Sequence, residues 1–201
     1  AGGWSTELAK TAGVDLAMRT ITIGAGILVR PPETMDLTTV LDRAAGTWFR
    51  PDVTNNTLVS IPTEPAAARG VDAETFDRDV DQTARNGAAQ RLTYRIPSMA
   101  DAYWKRSYVA VDGWTDDHQP LLGPVPEVAG FYANTGFTGM GFMQGPAAGL
   151  CIAEMIVNGE ATTVDVTALR PGRFAEGKPI EPPDDYSKGP TPWVQRKFDV
   201  Q

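Results

Sequence analysis

The sequence predicts an α+β protein with a mixed, mainly antiparallel sheet, on three observations. Residues 20–29 are rich in β-branched side chains and stop at Pro31-Pro32, as a strand does. Residues 47–50 and 57–61 flank the turn-forming stretch 51–56, which reads as a hairpin connection. A charged segment at 72–94 places Phe76, Val80, Ala84 and Ala88 at near-helical spacing. That segment is expected to be a helix, with Asn86-Gly87 as the place where an interruption would fall.

The remaining elements follow in order. Ser5 is placed to cap a short helix ending by Gly13. Residues 104–111 read as a strand and 112–119 as turns, while 121–122 and 131–133 read as short strands. A glycine-dense loop then carries Gly136, Gly139, Gly141 and Gly145, and Pro146 suits the first turn of a helix over 145–157. That helix is apolar nearly all round, which predicts burial on most sides, and Asn158-Gly159 supplies its C-cap. Residues 179–201 are Pro-rich and polar and are expected to wrap a surface, with Trp193 and Phe198 as anchors.

Composition sets bounds. With 42% hydrophobic and 21% charged residues in 201, the chain is that of an ordinary globular protein. A net charge of −7 argues against a nucleic-acid surface or an anionic membrane as partner, because either needs basic side chains to neutralise phosphates. The longest apolar run, 149–157, is too short to span a bilayer and contains Glu154. The single cysteine, Cys151, excludes an intrachain disulfide and a Cys-based metal site, fits a cytoplasmic location, and reads as inert core. The lone histidine, His118, has no nucleophile motif near it and reads as a turn residue. Asp77, Asp79 and Asp81 lack the Gly and Glu of a calcium loop and read as a solvated helix face, so no metal site is expected.

The glycine loop admits two readings. It is a tight strand-to-helix turn packed on a neighbour, or a place where backbone and a helix N-terminus meet an electron-rich ligand. Gly139, Gly141 and Gly145 come close to a dinucleotide fingerprint, but no further βαβ unit or acidic partner follows.

Three segments together carry a family resemblance: Ala1-Gly2-Gly3-Trp4, the run from Asp117 through Pro120-Leu121-Leu122-Gly123-Pro124, and the loop Gly136-Phe137-Thr138-Gly139-Met140-Gly141-Phe142. In this order they resemble the D-amino acid oxidase family of FAD-dependent oxidoreductases, in its sarcosine, dimethylglycine and glycine oxidase or dehydrogenase branch. The resemblance runs from residue 1 to about residue 177. It implies the end of an FAD-binding region at 1–15, a substrate-binding domain at 16–115, a C-terminal strand, glycine loop and helix of the FAD-binding domain at 116–160, and a tail at 161–201. The family's Gly-x-Gly-x-x-Gly unit does not precede Ala1, so the resemblance implies the C-terminal part of a longer or two-chain enzyme whose partner is the N-terminal FAD-binding portion.

The chemistry implied is hydride transfer from the carbon beside an amine nitrogen to flavin N5, followed by imine hydrolysis, on a small amine or amino-acid substrate. The residues implied to contact FAD are Ala1, Gly2, Gly3 and Trp4, with Gly136, Phe137, Thr138, Gly139, Met140, Gly141, Phe142 and Met143 at the pyrimidine end. Met140 stands where many relatives carry His, Met143 where some carry a carboxylate-binding Lys, and Asp116 where Pro is usual. Counting back from Thr115 puts Ala110 where some monomeric sarcosine oxidases attach flavin through Cys, so attachment there is excluded. The same count makes Asp112 a substrate-facing candidate, against the alternative of a turn-initiating Asp before Gly113. Tyr108 is a candidate pocket residue alongside Trp104, and Arg95 and Arg106 are weighed as carboxylate binders against ordinary solvated or paired arginines. The competing reading is a non-catalytic binding or assembly module that keeps the fold without the flavin.

Overall fold

A computed structural model describes residues 1–31, 34, 38–42, 44–61 and 70–181. Pro32, Trp193, Phe198 and most of the expected tail lie outside the described residues. The described residues divide into two compact units: those within 1–21, 70–76 and 111–181 form the first, and those within 22–61 and 77–110 the second.

The second unit is built on a five-stranded sheet. Its strands are β1 (Arg19–Val29), β2 (Val40–Asp42), β3 (Thr47–Pro51), β4 (Asn56–Ile61) and β5 (Tyr103–Trp114), in the order β2-β3-β4-β1-β5. The pairs β2/β3, β3/β4 and β1/β4 are antiparallel. The predicted hairpin is therefore present, with Thr54 at positive φ in its turn. Helix α2 (Gln82–Arg95) packs on β3 and β4, and Ala88 and Leu92 join Leu28, Phe49, Val59, Ile61, Val80 and Met99 in one core. Gly26 leaves room on β1 for the Trp104 indole, whose nearest carbon lies 2.3 Å from where a Cβ would stand.

The charged segment departs from expectation at its start. Asp81 caps α2 by accepting from the Ala84 amide at 2.7 Å, and Asp77 accepts from the Asp79 amide at 2.9 Å ahead of it. The aspartates compete for backbone donors and so hold residues 77–81 in irregular backbone rather than on a helix face. Asn86-Gly87 does not interrupt the helix.

The first unit holds α1 (Ser5–Lys10), the hairpin β6 (Leu121–Pro124) and β7 (Tyr132–Thr135), and α3 (Gly141–Asn158). Ser5 is the first helical residue of α1 rather than its cap, because its hydroxyl is paired with that of Thr135 at 2.6 Å. Two apolar clusters fill the unit, one around Ala9, Val14, Leu16, Leu121, Val125 and Ala133, the other around Leu122, Ala148, Cys151 and Val166.

Helix α3 starts one turn earlier than predicted, so Pro146 lies inside it, and Gly159 at φ 88° ends it as expected. Its predicted burial does not hold within the described chain. Ala148 and Cys151 are its only buried residues, whereas Met143, Leu150, Ile156 and Val157 are exposed and Phe142 fully so. The helix has a core against one stripe alone. Among the described residues no helix is long and apolar enough to cross a membrane.

Glu154 anchors the chain after α3. Its carboxylate accepts from the Thr162 and Thr163 amides at 2.7 and 3.0 Å and from the Thr163 hydroxyl, and these bonds pull its pKa down to about 2. The native state thus binds fewer protons than the unfolded chain between the ordinary glutamate value of 4.5 and about 2. The contribution is in place above that window and is lost as pH falls through it. An NMR titration should find Glu154 protonating near 2, with the Thr162 and Thr163 amides losing protection in step.

Candidate flavin-contacting site

Three stretches distant in sequence meet in the first unit. The chain enters through a 3-10 turn at Gly2–Trp4, with Gly2 at φ 57°. Gly3 sits against Val111, whose Cγ2 lies 2.7 Å from where a Cβ would stand, and the Thr20 hydroxyl donates to the Gly3 carbonyl. Gly113, at the end of β5, is equally close to Gly2, with the Gly2 carbonyl oxygen 3.0 Å from its Cβ position and the Met18 Cε 2.3 Å from it. The Gly113 carbonyl in turn accepts from the Thr138 amide at 3.2 Å, which brings in the loop between β7 and α3. Residues 2–3, 111–113 and 136–141 are thereby brought together along their backbones, with the space at Gly3, Gly113 and Gly136 taken by the side chains of Val111, Met18 and Thr115 and that at Gly139 left open.

The loop's geometry depends on its residue types. Gly136, Thr138 and Gly139 all have positive φ (73°, 52° and 83°), a region that costs most side chains about 1–2 kcal/mol. Gly136 rests on the methyl of Thr115 and the side chain of Leu121, and Phe137 packs under Gly141. Gly139 differs, because its nearest neighbour is an Asp112 carboxylate oxygen 3.9 Å away from its Cβ position. The amides of Gly139, Gly141 and Phe142 form no hydrogen bond to the described residues. They stand at the positive end of an 18-residue helix, an arrangement that favours an anionic or electron-rich group.

The remaining candidates are placed as follows. Asp112 lies beside this surface, half-buried, accepting from the Gly113 amide at 2.8 Å and from the Trp114 indole at 3.2 Å. Trp4 is exposed and its indole donates to Glu74, and the Ala1 carbonyl accepts from the Trp4 amide at 3.1 Å. Met140, Phe142 and Met143 are exposed. Tyr108, Trp104, Arg95 and Arg106 belong to the second unit. There Tyr108 is exposed on β5, Trp104 packs against the sheet core, and Arg95 is bound to the buried Asp42 by two hydrogen bonds, one of 3.0 Å. Burial pushes the Asp42 carboxyl up, but the Arg95 bond and the Ala45 amide pull it further down, below the usual range. Asp116 is paired with Arg19. His118 sits in a turn at φ 58°, its ring 5.2 Å from that of Trp114. Among the described residues no group of three or more His, Cys, Asp and Glu side chains is arranged to hold a metal ion.

Two residues that underpin the loop escaped the sequence reading. Thr115 is wholly buried beneath Gly136, and Arg173 is wholly buried in a bidentate pair with Asp117, at 2.7 and 2.8 Å. The sequence contains no local sign of a pair 56 residues apart.

Comparison with known proteins agrees with the geometry. The family model described as "FAD dependent oxidoreductase" (DAO) matches residues 1–155. A glycine oxidase from Geobacillus kaustophilus is 26% identical over 155 residues, which are 77% of this chain and 38% of that protein. The crystal structure of glycine oxidase from the same organism superposes with a TM-score of 0.72 at 25% identity, covering 86% of this chain and 44% of that one. The L-proline dehydrogenase structure from P. horikoshii superposes with a TM-score of 0.79 at 22% identity, covering 90% and 47%. The chain thus spans less than half of the length of each of these proteins.

Proposed function

Since the chain belongs to the DAO family of FAD-dependent oxidoreductases, we propose that it is the part of an amine- or amino-acid-oxidising flavoenzyme that supplies the pyrimidine-end contacts to FAD. The observation that carries this reading is the surface where the backbones of residues 2–3, 111–113 and 136–141 meet at the N-terminus of α3, left open at Gly139. Such a surface admits a flat ring system edge-on to peptide N–H groups, and the residues present fit FAD there. FAD, when bound, supplies the acceptor for a hydride from the carbon beside the substrate nitrogen.

The chain's own part is electrostatic and steric. The amides of Gly139, Gly141 and Phe142, which bond to no described residue, and the α3 dipole would hold an electron-rich edge of the bound ring and favour negative charge there. Asp112 offers a carboxylate to a cationic amine beside the same surface. A glycine- or sarcosine-like substrate fits the glycine oxidase likeness. The partner is the FAD-binding remainder of the family length, and the bare apolar side of α3 supports its docking there, since large exposed apolar patches mark interaction surfaces. A reducing compartment such as the cytoplasm fits the single free Cys151.

The test is an anaerobic screen of small amines and amino acids against the flavin-bound protein, following bleaching of its visible absorbance. Bleaching by glycine, sarcosine or a close relative supports the reading; a protein that holds no flavin favours the assembly module. Asp112→Asn should raise KM for the amine about tenfold, the worth of one charge-assisted hydrogen bond, while leaving the flavin bound. Steady-state kinetics beside the flavin spectrum check this.

A further inference from the structure

We propose that Asp117 and Arg173 are positioning residues for the glycine loop: the pair fixes the turn at 115–120, and through Thr115 it sets the seat of Gly136. The inference rests on the reading that this loop meets the flavin. All the donors of Arg173 are used. Nε and Nη2 hold Asp117, Nη2 also donates to the Gln119 carbonyl at 2.8 Å, and Nη1 reaches the carbonyls of Pro120 at 3.1 Å, Leu169 at 3.0 Å and Arg170 at 3.3 Å. Asp117 also accepts from the amides of Gln119 and Ile180, at 3.1 and 3.0 Å. One guanidinium and one carboxylate therefore bind the 117–120 turn to the closing segment at 169–180.

From that turn, three contacts lead to the loop. The Thr115 hydroxyl donates to the Gln119 carbonyl at 2.7 Å, and its Cγ2 lies 3.0 Å from the Cβ position of Gly136. Pro120, whose carbonyl Arg173 holds, precedes Leu121, and Leu121 is paired with Thr135, the residue before Gly136. Leu169, whose carbonyl Arg173 also holds, shares an apolar cluster with Phe137. Thr138 is the non-glycine residue of the loop in the left-handed region, and it keeps that conformation only while its surroundings impose it.

Amide hydrogen exchange on the protein with its FAD-binding portion, with and without flavin, tests the coupling. Arg173→Lys keeps the charge but loses the fork of donors, and Thr115→Ser keeps the hydroxyl bond but deletes the methyl beneath Gly136. Arg173→Lys should speed exchange at 136–143 about tenfold while leaving α2 unchanged, and Thr115→Ser should speed it about threefold without touching 167–180. If the loop then holds reduced flavin about tenfold less well relative to oxidised flavin, the midpoint potential falls by about 30 mV for this two-electron couple. A structural role alone would speed exchange at 167–180 and leave the loop and potential as in the wild type, which would overturn the inference. Should Arg173→Lys fail to fold, Thr115→Ser decides. Should the wild type hold no flavin, the functional reading fails, and loop exchange in the flavin-free protein still decides the coupling.

Discussion

Arg173→Ala should destabilise the protein by about 3–5 kcal/mol, the cost of leaving one member of a buried ion pair alone. Both partners are out of water: Arg173 is 0% exposed and Asp117 4%. Removing the guanidinium leaves the Asp117 carboxylate without its counter-ion and takes a donor from the carbonyls of Gln119, Pro120, Leu169 and Arg170. A chain of this size should melt on the order of 10 °C lower. The pair also has a pH signature. Burial pushes the Asp117 pKa up, but Arg173 and the amides of Ile180 and Gln119 outweigh it, so the pKa ends below the usual carboxylate range. Its contribution is therefore present above the ordinary aspartate value and is lost as pH falls through the lowered one. Thermal melts against pH should show the wild type losing this advantage over Arg173→Ala in acid.

Gly139→Asn should leave the fold nearly intact and weaken FAD binding about a hundredfold. Asparagine is among the residues that tolerate the left-handed conformation at φ 83°, so the backbone cost is about 1 kcal/mol or less. No atom lies closer than 3.9 Å to the position its Cβ would take. At Gly3 or Gly113, by contrast, a Cβ would meet protein atoms at 2.7 or 2.3 Å and the fold would have to shift. Position 139 thus separates a glycine needed for packing from one needed for a ligand's approach. Equal melting temperatures with a large difference in FAD dissociation constant is the expected pair of results.

The strands were legible because their β-branched residues and flanking prolines act locally, as β1, β3 and β4 show. Strand β2 has three residues and is held by its pairing with β3, so its own sequence says little. Pro146 misled the start of α3: it was read as a first-turn proline, although the glycines before it had already entered the helix. The burial of α3 was misjudged for another reason. An apolar helix predicts a cover on every side, but among the described residues only the stripe at Ala148 and Cys151 has one. At the site, the glycine loop is legible because glycine is the residue best suited to the positive φ of positions 136 and 139. What supports it is not, since Thr115 and Arg173 are ordinary in sequence and become special only through contacts across the fold.

The most direct test of the glycine surface as a flavin contact is the visible absorbance of the protein purified with its FAD-binding portion, quantified as FAD per chain for the wild type and for Gly139→Asn. The account predicts close to one FAD per wild-type chain and little in a well-folded Gly139→Asn. Full occupancy in both would contradict it, because a side chain projecting from residue 139 could not then stand where the ring approaches.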